Sequence, residues 1–417
     1  MLRQQPNKRL FGECGILTLL ILLQCFWGGA MWLVYPVLLA LVVVENYANA
    51  LSLILWLLPF AWLGQSTSLL LWVICIVVVV VKFYGDLLFR QKRYPRSSLW
   101  LWLGLFVVYC LLPWGPYNVN LFSRLGLFLA CLAVLGVLIV QPQLIRLRFN
   151  VRLVVLAVAV ASLMSLLIPV VPNLHFLQLI TEWMGGRFHA LFLHPNNLGM
   201  FCEIVAALLA YLLMSRQAEL ADYLALLTVT ILGFLSMSKA FLLLIMLIYL
   251  IILVWLIRRN WRLSLTIVVL LTAVVISICS LCTEIVSEYL GRFTSGIAQG
   301  SNFTDVMNSL TTHRYDLWVT YSGYLLQNPL VLLFGRGLGT PALYDPLSGQ
   351  TLSAHNFFLT ALYEMGLVGT ALLTVTVVLL LRRLRQTKTT KIHPAIIVLI
   401  VIFVLLLCEE DLILMIA

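Results

Sequence analysis

The chain has 417 residues, of which 63% are hydrophobic and only 10% charged, with a mean hydropathy of +1.06 and a formal net charge of +10. A soluble protein of this length needs a charged, water-facing shell that this composition cannot supply. The positive charge does not point to nucleic acid, because the basic residues sit in short stretches between apolar runs, which is a membrane-topology signal.

The chain opens on Arg3, Lys8 and Arg9, which resemble a signal n-region. So many apolar runs follow that an uncleaved anchor is expected rather than a removed signal peptide. Apolar segments are predicted at residues 11–28, 31–44, 47–63, 67–85, 98–115, 121–141, 151–170, 195–214, 219–237, 239–257, 263–282, 355–381 and 393–408. A helix needs roughly 20 such residues to cross a bilayer core. The first two segments could form one long helix broken near Gly28 and Gly29. However, Arg90, Lys92, Arg93 and Arg96 should share a side with the basic N-terminus, which requires an even number of crossings between them. Four segments satisfy this and three do not. The expected fold is an all-α integral membrane protein of about 12–13 transmembrane helices, forming one polytopic domain over residues 1–417.

That topology sorts the 26 lysines and arginines. Six lie on one side (Arg124, Arg187, Lys239, Arg292, Arg314 and Arg336) and the other 20 on the side of the N-terminus. The positive-inside rule makes the crowded side cytoplasmic. On the opposite side two connections are too long to be turns, residues 171–194 and a large extracytoplasmic loop at 283–354. Loops of that length usually carry function. Five of the six histidines also fall on or beside that face: His175, His189, His194, His313 and His355.

Several residues there could carry chemistry. Any one of Arg187, Lys239, Arg292 and Arg314 alone could pair with a lipid phosphate or a carboxylate. Together they suit a polyanion, since the arginine fork matches phosphate oxygens and lysine supplies a point charge. In SAHNFFLTALYEMGLVG, His355 and Asn356 stand where the large loop re-enters the membrane, with Glu364 in the helix beyond. His355 could take a proton from a hydroxyl, or it could merely start a helix. Asn196 and Asn197 after Pro195 read as an ordinary helix start capped by Asn. Glu203 lies inside the span that follows, where a carboxylate is costly and often functional, although pairing with an arginine would satisfy it equally well. Glu409, Glu410 and Asp411 mark an acidic outer boundary near the end. Cys279 and Cys282 form a CxxC without a second pair, which reads as helix packing rather than redox or metal chemistry. The sequence contains no Gly-rich phosphate loop ending in Gly-Lys-Ser/Thr, which argues against an ATP-driven pump.

Four stretches, taken in order, resemble the O-antigen ligase/polymerase superfamily, the integral-membrane glycosyltransferases that use undecaprenyl-diphosphate-linked glycans. They are Arg187 with Pro195 and Asn196; Ser238 with Lys239; Arg314 and Trp318 with Asn328, Pro329, Gly335, Gly337 and Gly339; and His355 and Asn356 with Glu364 and Gly366. The resemblance implies that Lys239 and Arg314, with Arg187 and Arg292 as further cations, bind the lipid diphosphate. It implies equally that His355 activates or positions an acceptor hydroxyl, with Asn356, Glu364, Glu203 and Asp411 in supporting places. Two departures stand out. The family usually has Arg where this chain has Lys239, and it continues with another span after the acidic turn, whereas this sequence stops at Ala417. A shortened C-terminus is therefore expected.

The reaction so implied is glycosyl transfer with a lipid diphosphate as leaving group, at the outer face of the bacterial inner membrane. No cofactor and no metal are expected, because cations can hold the developing charge and no Asp-x-Asp cluster lies in the outer loops. The expected partners are an undecaprenyl-diphosphate-linked oligosaccharide and membrane lipid, with a chain-length regulator and a flippase in the same assembly line; nucleic acid is not among them. THRYDLW and NPLVLLFGRGLG look closest to capsule and exopolysaccharide polymerases, with an O-antigen ligase acting on a lipid core as the alternative. A polysaccharide flippase is the reading from a different class, but such transporters commonly show two repeated halves and a midplane site, and no internal repeat is visible.

Overall fold

The structure is a computed structural model of the full chain. It describes residues 8–27, 31–60, 74–82, 98–112, 146–192 except 184–185, 194–214, 219–259, 302–311, 314–352 except 341 and 346–349, and 354–386, with a few isolated positions. The segments predicted at 121–141, 263–282 and 393–408, and with them Cys279, Cys282, Arg292, His313 and Asp411, lie outside the described residues.

Apolar runs dictate helices. Helices α1 (Lys8–Trp27) and α2 (Met31–Val44) are separate and pack on each other, as the charge pattern requires. Next come α3 (Tyr47–Leu57), a helical stretch at 74–82, α4 (Ser98–Leu111) and α5 (Leu147–Ser165). Helix α5 begins four residues before its predicted apolar segment, because Arg152 and Arg148 find partners. The Nε of Arg152 lies 2.7 Å from Asp222, and the two guanidinium groups lie 2.9 and 3.0 Å from Glu219. Helices α7 (Pro195–Met214), α8 (Leu220–Leu235) and α9 (Lys239–Arg259) then form a packed trio.

Among the described residues, five helices are long and apolar enough to cross a membrane, α1, α5, α7, α9 and the first 23 residues of α13 (Phe357–Gln386). At a rise of 1.5 Å per residue, α9 is about 31 Å long, the thickness of a bilayer core. It buries Phe241, Leu244, Ile245 and Ile248 against its neighbours and exposes Leu243, Met246, Leu250, Val254 and Ile257. Leaving such side chains in water would cost about 1.5–3 kcal/mol each, so the exposed stripe is a lipid-facing one. The chain is an all-α integral membrane protein.

The two ends of the bundle differ as the sorted cations require. At one end Arg9 of α1 meets Glu45 after α2 at 2.8 Å, Lys82 donates to the Glu45 carbonyl at 2.6 Å, and Arg146 reaches Asn49 of α3. At the other end Asn173 donates to the Cys25 carbonyl at 3.0 Å, which places the 171–194 connection over the far end of α1. That connection is itself folded, with a 3₁₀ turn at Pro172–Leu174 and helix α6 (His175–Trp183).

The large loop carries structure of its own. It holds α10 (Phe303–Thr311), α11 (Arg314–Gln327), the short α12 (Pro329–Phe334) and an antiparallel ribbon of β1 (Leu343–Asp345) and β2 (Gln350–Leu352). Its anchor is a break in α13. Gly366 adopts φ 64°, and the Tyr363 and Glu364 carbonyls instead accept hydrogen bonds from Arg336 N at 2.9 Å and Gly337 N at 2.8 Å. The Tyr109 hydroxyl of α4 lies 2.8 Å from the Phe334 carbonyl and 2.9 Å from that of Met365. This explains the glycines of the turn. A Cβ on Gly335 would lie 2.3 Å from the Glu364 carbonyl oxygen, and one on Gly366 would lie 2.5 Å from the Gly335 nitrogen. Gly366→Ala should therefore cost at least about 2 kcal/mol, from left-handed strain together with a backbone clash. Gly323→Ala, on open helix surface, should stay within about 1 kcal/mol. Thermal unfolding in detergent checks the contrast, and equal melting of the two variants would contradict it.

Candidate active site

Helix α11 sets the first half of the site. Its start is pinned by Asn308 of α10, whose Oδ1 accepts from Asp316 N at 3.0 Å and whose amide donates to the Asp316 carboxylate. The spacing Arg-x-x-x-Trp puts Arg314 and Trp318 on one helical face, a turn apart. The Trp318 indole N–H donates to the Ala354 carbonyl at 3.0 Å, so the turn that bears Arg314 is tied to the residue immediately before His355. The Tyr321 hydroxyl accepts from Leu343 N at 3.1 Å, and its ring packs edge-on against Tyr363. Ribbon, α11 and α13 thus close around Ala354.

His355 sits between two fixed points. On its far side the Oδ1 of Asn356 accepts from Phe358 N at 3.0 Å and Leu359 N at 3.2 Å. Asn356 is therefore the N-cap of α13, and His355 is the residue directly before it. His355 itself has φ 44°, a left-handed conformation in which Asn, Asp and His are the most tolerated residues other than glycine.

The second half of the site is the corner where α7 begins and α8 turns into α9. Gly199 lets α7 approach this corner closely, since a Cβ there would lie 2.7 Å from Ser238 Cβ and 3.1 Å from Ser236 Oγ. Arg187 donates from Nε and Nη2 to the Ser236 carbonyl at 3.0 and 2.8 Å, and from Nη2 to Asn196 Oδ1 at 2.9 Å. Much of its fork is thus engaged in joining the end of α8 to the start of α7. Lys239, half-buried, is the first residue of α9 on the same corner, just past Met237 at φ 50°.

The cap of α7 is not an asparagine. Its first residue is Pro195, and the backbone N–H of Asn196 donates to His194 Nδ1 at 3.0 Å. His194 is the N-cap, and Asn196 instead receives Arg187. Burial pushes the His194 imidazole down to about 4, and the charges of Arg187, Arg314, His189 and His355 push the same way. By contact, Arg187 and His194 meet at the start of α7 through Asn196. His189 is buried, with Nδ1 2.6 Å from the Phe192 carbonyl. Burial lowers its pKa too, while the carbonyls of Phe192 and Leu177 raise it, so it fastens α6 to the approach to α7.

Arg187 and Lys239 thus stand at the corner of α7, α8 and α9, and Arg314, His355 and Asn356 where α11 meets the start of α13, whereas Glu364 and Glu203 lie deeper in their helices. Glu364 is nine residues beyond His355, roughly 13 Å along the helix axis. It is buried, its own backbone carbonyl is taken by Gly337, and its charge bears on Cys110 and Tyr363. Glu203 is 1% exposed, on the Gly199 face of α7, roughly 10 Å deeper than Asn196. Two residues at these positions carry only a faint signal in the sequence. Trp318 was visible only as part of a pattern, and His194 only as one histidine among five. The sequence signal for His194 was its place directly before a Pro at a helix start.

Residues 224–374 match the family model described as O-antigen ligase. The matched stretch contains Lys239, Arg314, Trp318 and His355, while Arg187 and His194 precede it. No curated protein and no solved structure matches the chain.

Proposed function

We propose, from the match of residues 224–374 to the family described as O-antigen ligase, that the chain is a polysaccharide polymerase of the O-antigen ligase/polymerase superfamily, joining undecaprenyl-diphosphate-linked repeat units at the outer face of the bacterial inner membrane. The observation that supports this reading is the tie from Trp318 to Ala354, which joins the helix that begins at Arg314 to the residue before His355. The acceptor hydroxyl oxygen attacks the anomeric carbon of the donor sugar. A new C–O bond forms as the bond to the diphosphate breaks, and the leaving group takes the electron pair. His355 accepts the hydroxyl proton. Arg314 and Lys239 hold the charge that gathers on the diphosphate, without a metal ion. The fixed turn and the lipid anchors of both substrates supply orientation.

The polymerase reading rests on the wording around Arg314 and on the glycine turn. Ligation of a glycan to a lipid core remains the second reading, favoured by the description of the matched family. Nothing in the match supports a flippase. The discriminating experiment gives the purified protein, in sealed vesicles of known orientation, a lipid-linked repeat unit and no lipid core. A ladder of extended chains made on the non-cytoplasmic face is expected. Product formed only when lipid core is added would make it a ligase, and product made only on the cytoplasmic face would overturn the orientation.

A further inference from the structure

Two facts about His194 go beyond its capping of α7. Its Nδ1 is committed as an acceptor to the Asn196 N–H at 3.0 Å, so in the neutral ring the proton resides on Nε2. The ring also lies within the electrostatic reach of Arg187, Arg314 and His355, although it belongs to a different part of the chain from the last two. A neutral ring suits this place, since a third full charge beside two arginines would be repelled, whereas an N–H dipole adds a donor without that penalty.

Resting on the diphosphate reading above, we propose that His194 is an anion-binding residue, whose Nε2–H donates a hydrogen bond to an oxygen of the departing lipid diphosphate. Helix α7 then does two jobs through one side chain. The N–H of Asn196 orients the imidazole, and the imidazole passes a fixed donor on to the leaving group. The role differs from that of His355, which receives a proton; His194 keeps its proton throughout.

Two substitutions separate this from a purely structural cap. Asn and Asp are about equally good N-caps, so either should hold the start of α7. His194→Asn offers an oxygen to Asn196 N–H and an N–H₂ to the anion. His194→Asp offers the oxygen and, in place of the donor, a negative charge facing the anion. With a lipid-linked repeat unit as substrate, His194→Asn should retain activity within about tenfold of wild type. His194→Asp should lose about 10²–10³-fold in kcat, the usual loss for one preorganised donor, with melting unchanged in both. Equal activity of the two variants would overturn the proposal. If both were wild-type-like, His194 is only a cap; if both were inactive at unchanged melting, the imidazole acts otherwise than as a donor. Arg314→Ala is assayed in parallel. An active Arg314→Ala would defeat the diphosphate reading itself, whereas an inactive Arg314→Ala beside an active His194→Asp would defeat only the role of His194.

Discussion

Arg314→Ala should abolish polymer formation while leaving the protein inserted and folded. The guanidinium stands at the first turn of α11, on the Trp318 face and within reach of His194. Removing one preorganised donor from developing charge costs about 10²–10³ in turnover, and removing a full cation beside a diphosphate should reach at least the upper end. The fold should survive for specific reasons. Alanine is a better helix former than arginine, and the start of α11 is held by Asn308 and Asp316 through groups the substitution does not touch. Arg314→Lys should fall between, keeping the charge but losing the fork. By the same logic Lys239→Arg should keep much of the activity. Chain length on gels at matched expression is the measurement. Normal ladders from Arg314→Ala would make this arginine a partner for lipid or for a carboxylate and nothing more.

His355→Asn should cost roughly 10²–10⁴-fold in rate, the range for loss of general acid–base catalysis, at nearly unchanged stability. Asparagine is the informative replacement because of the backbone. Position 355 has φ 44°, and Asn enters that region more readily than most residues, whereas a β-branched residue would add strain and confuse the result. The α13 cap stays intact, since Asn356 supplies it. The assay gives purified protein lipid-linked repeat units and follows both chain length and melting temperature. Unextended single units from a protein that melts normally would support proton transfer at His355. Wild-type ladders would remove it from the chemistry.

Membrane class and the positions of the spanning helices among the described residues were legible in the sequence, because each depends on local quantities. Apolar run length decides whether a helix can span a bilayer, and the sorting of 20 cations against six decides which ends belong together. The pairing of Arg9 with Glu45, far apart in sequence, follows from that sorting. Arg314, His355 and the glycine turn were legible as a pattern, but not the reason for it. Only the tertiary structure shows that Gly335 and Gly366 allow backbone to touch backbone, and that Trp318 matters through a hydrogen bond to residue 354. Helix geometry also sets how deep the carboxylates lie. Glu364 and Glu203 have the right chemistry, but the helical rise carries them roughly 10–13 Å away along their axes, a distance that spacing alone did not translate into a role. His194 shows the converse. Which ring nitrogen is bonded follows from the local cap to the Asn196 N–H, but which charges surround the ring depends on the packing of α7 against its neighbours.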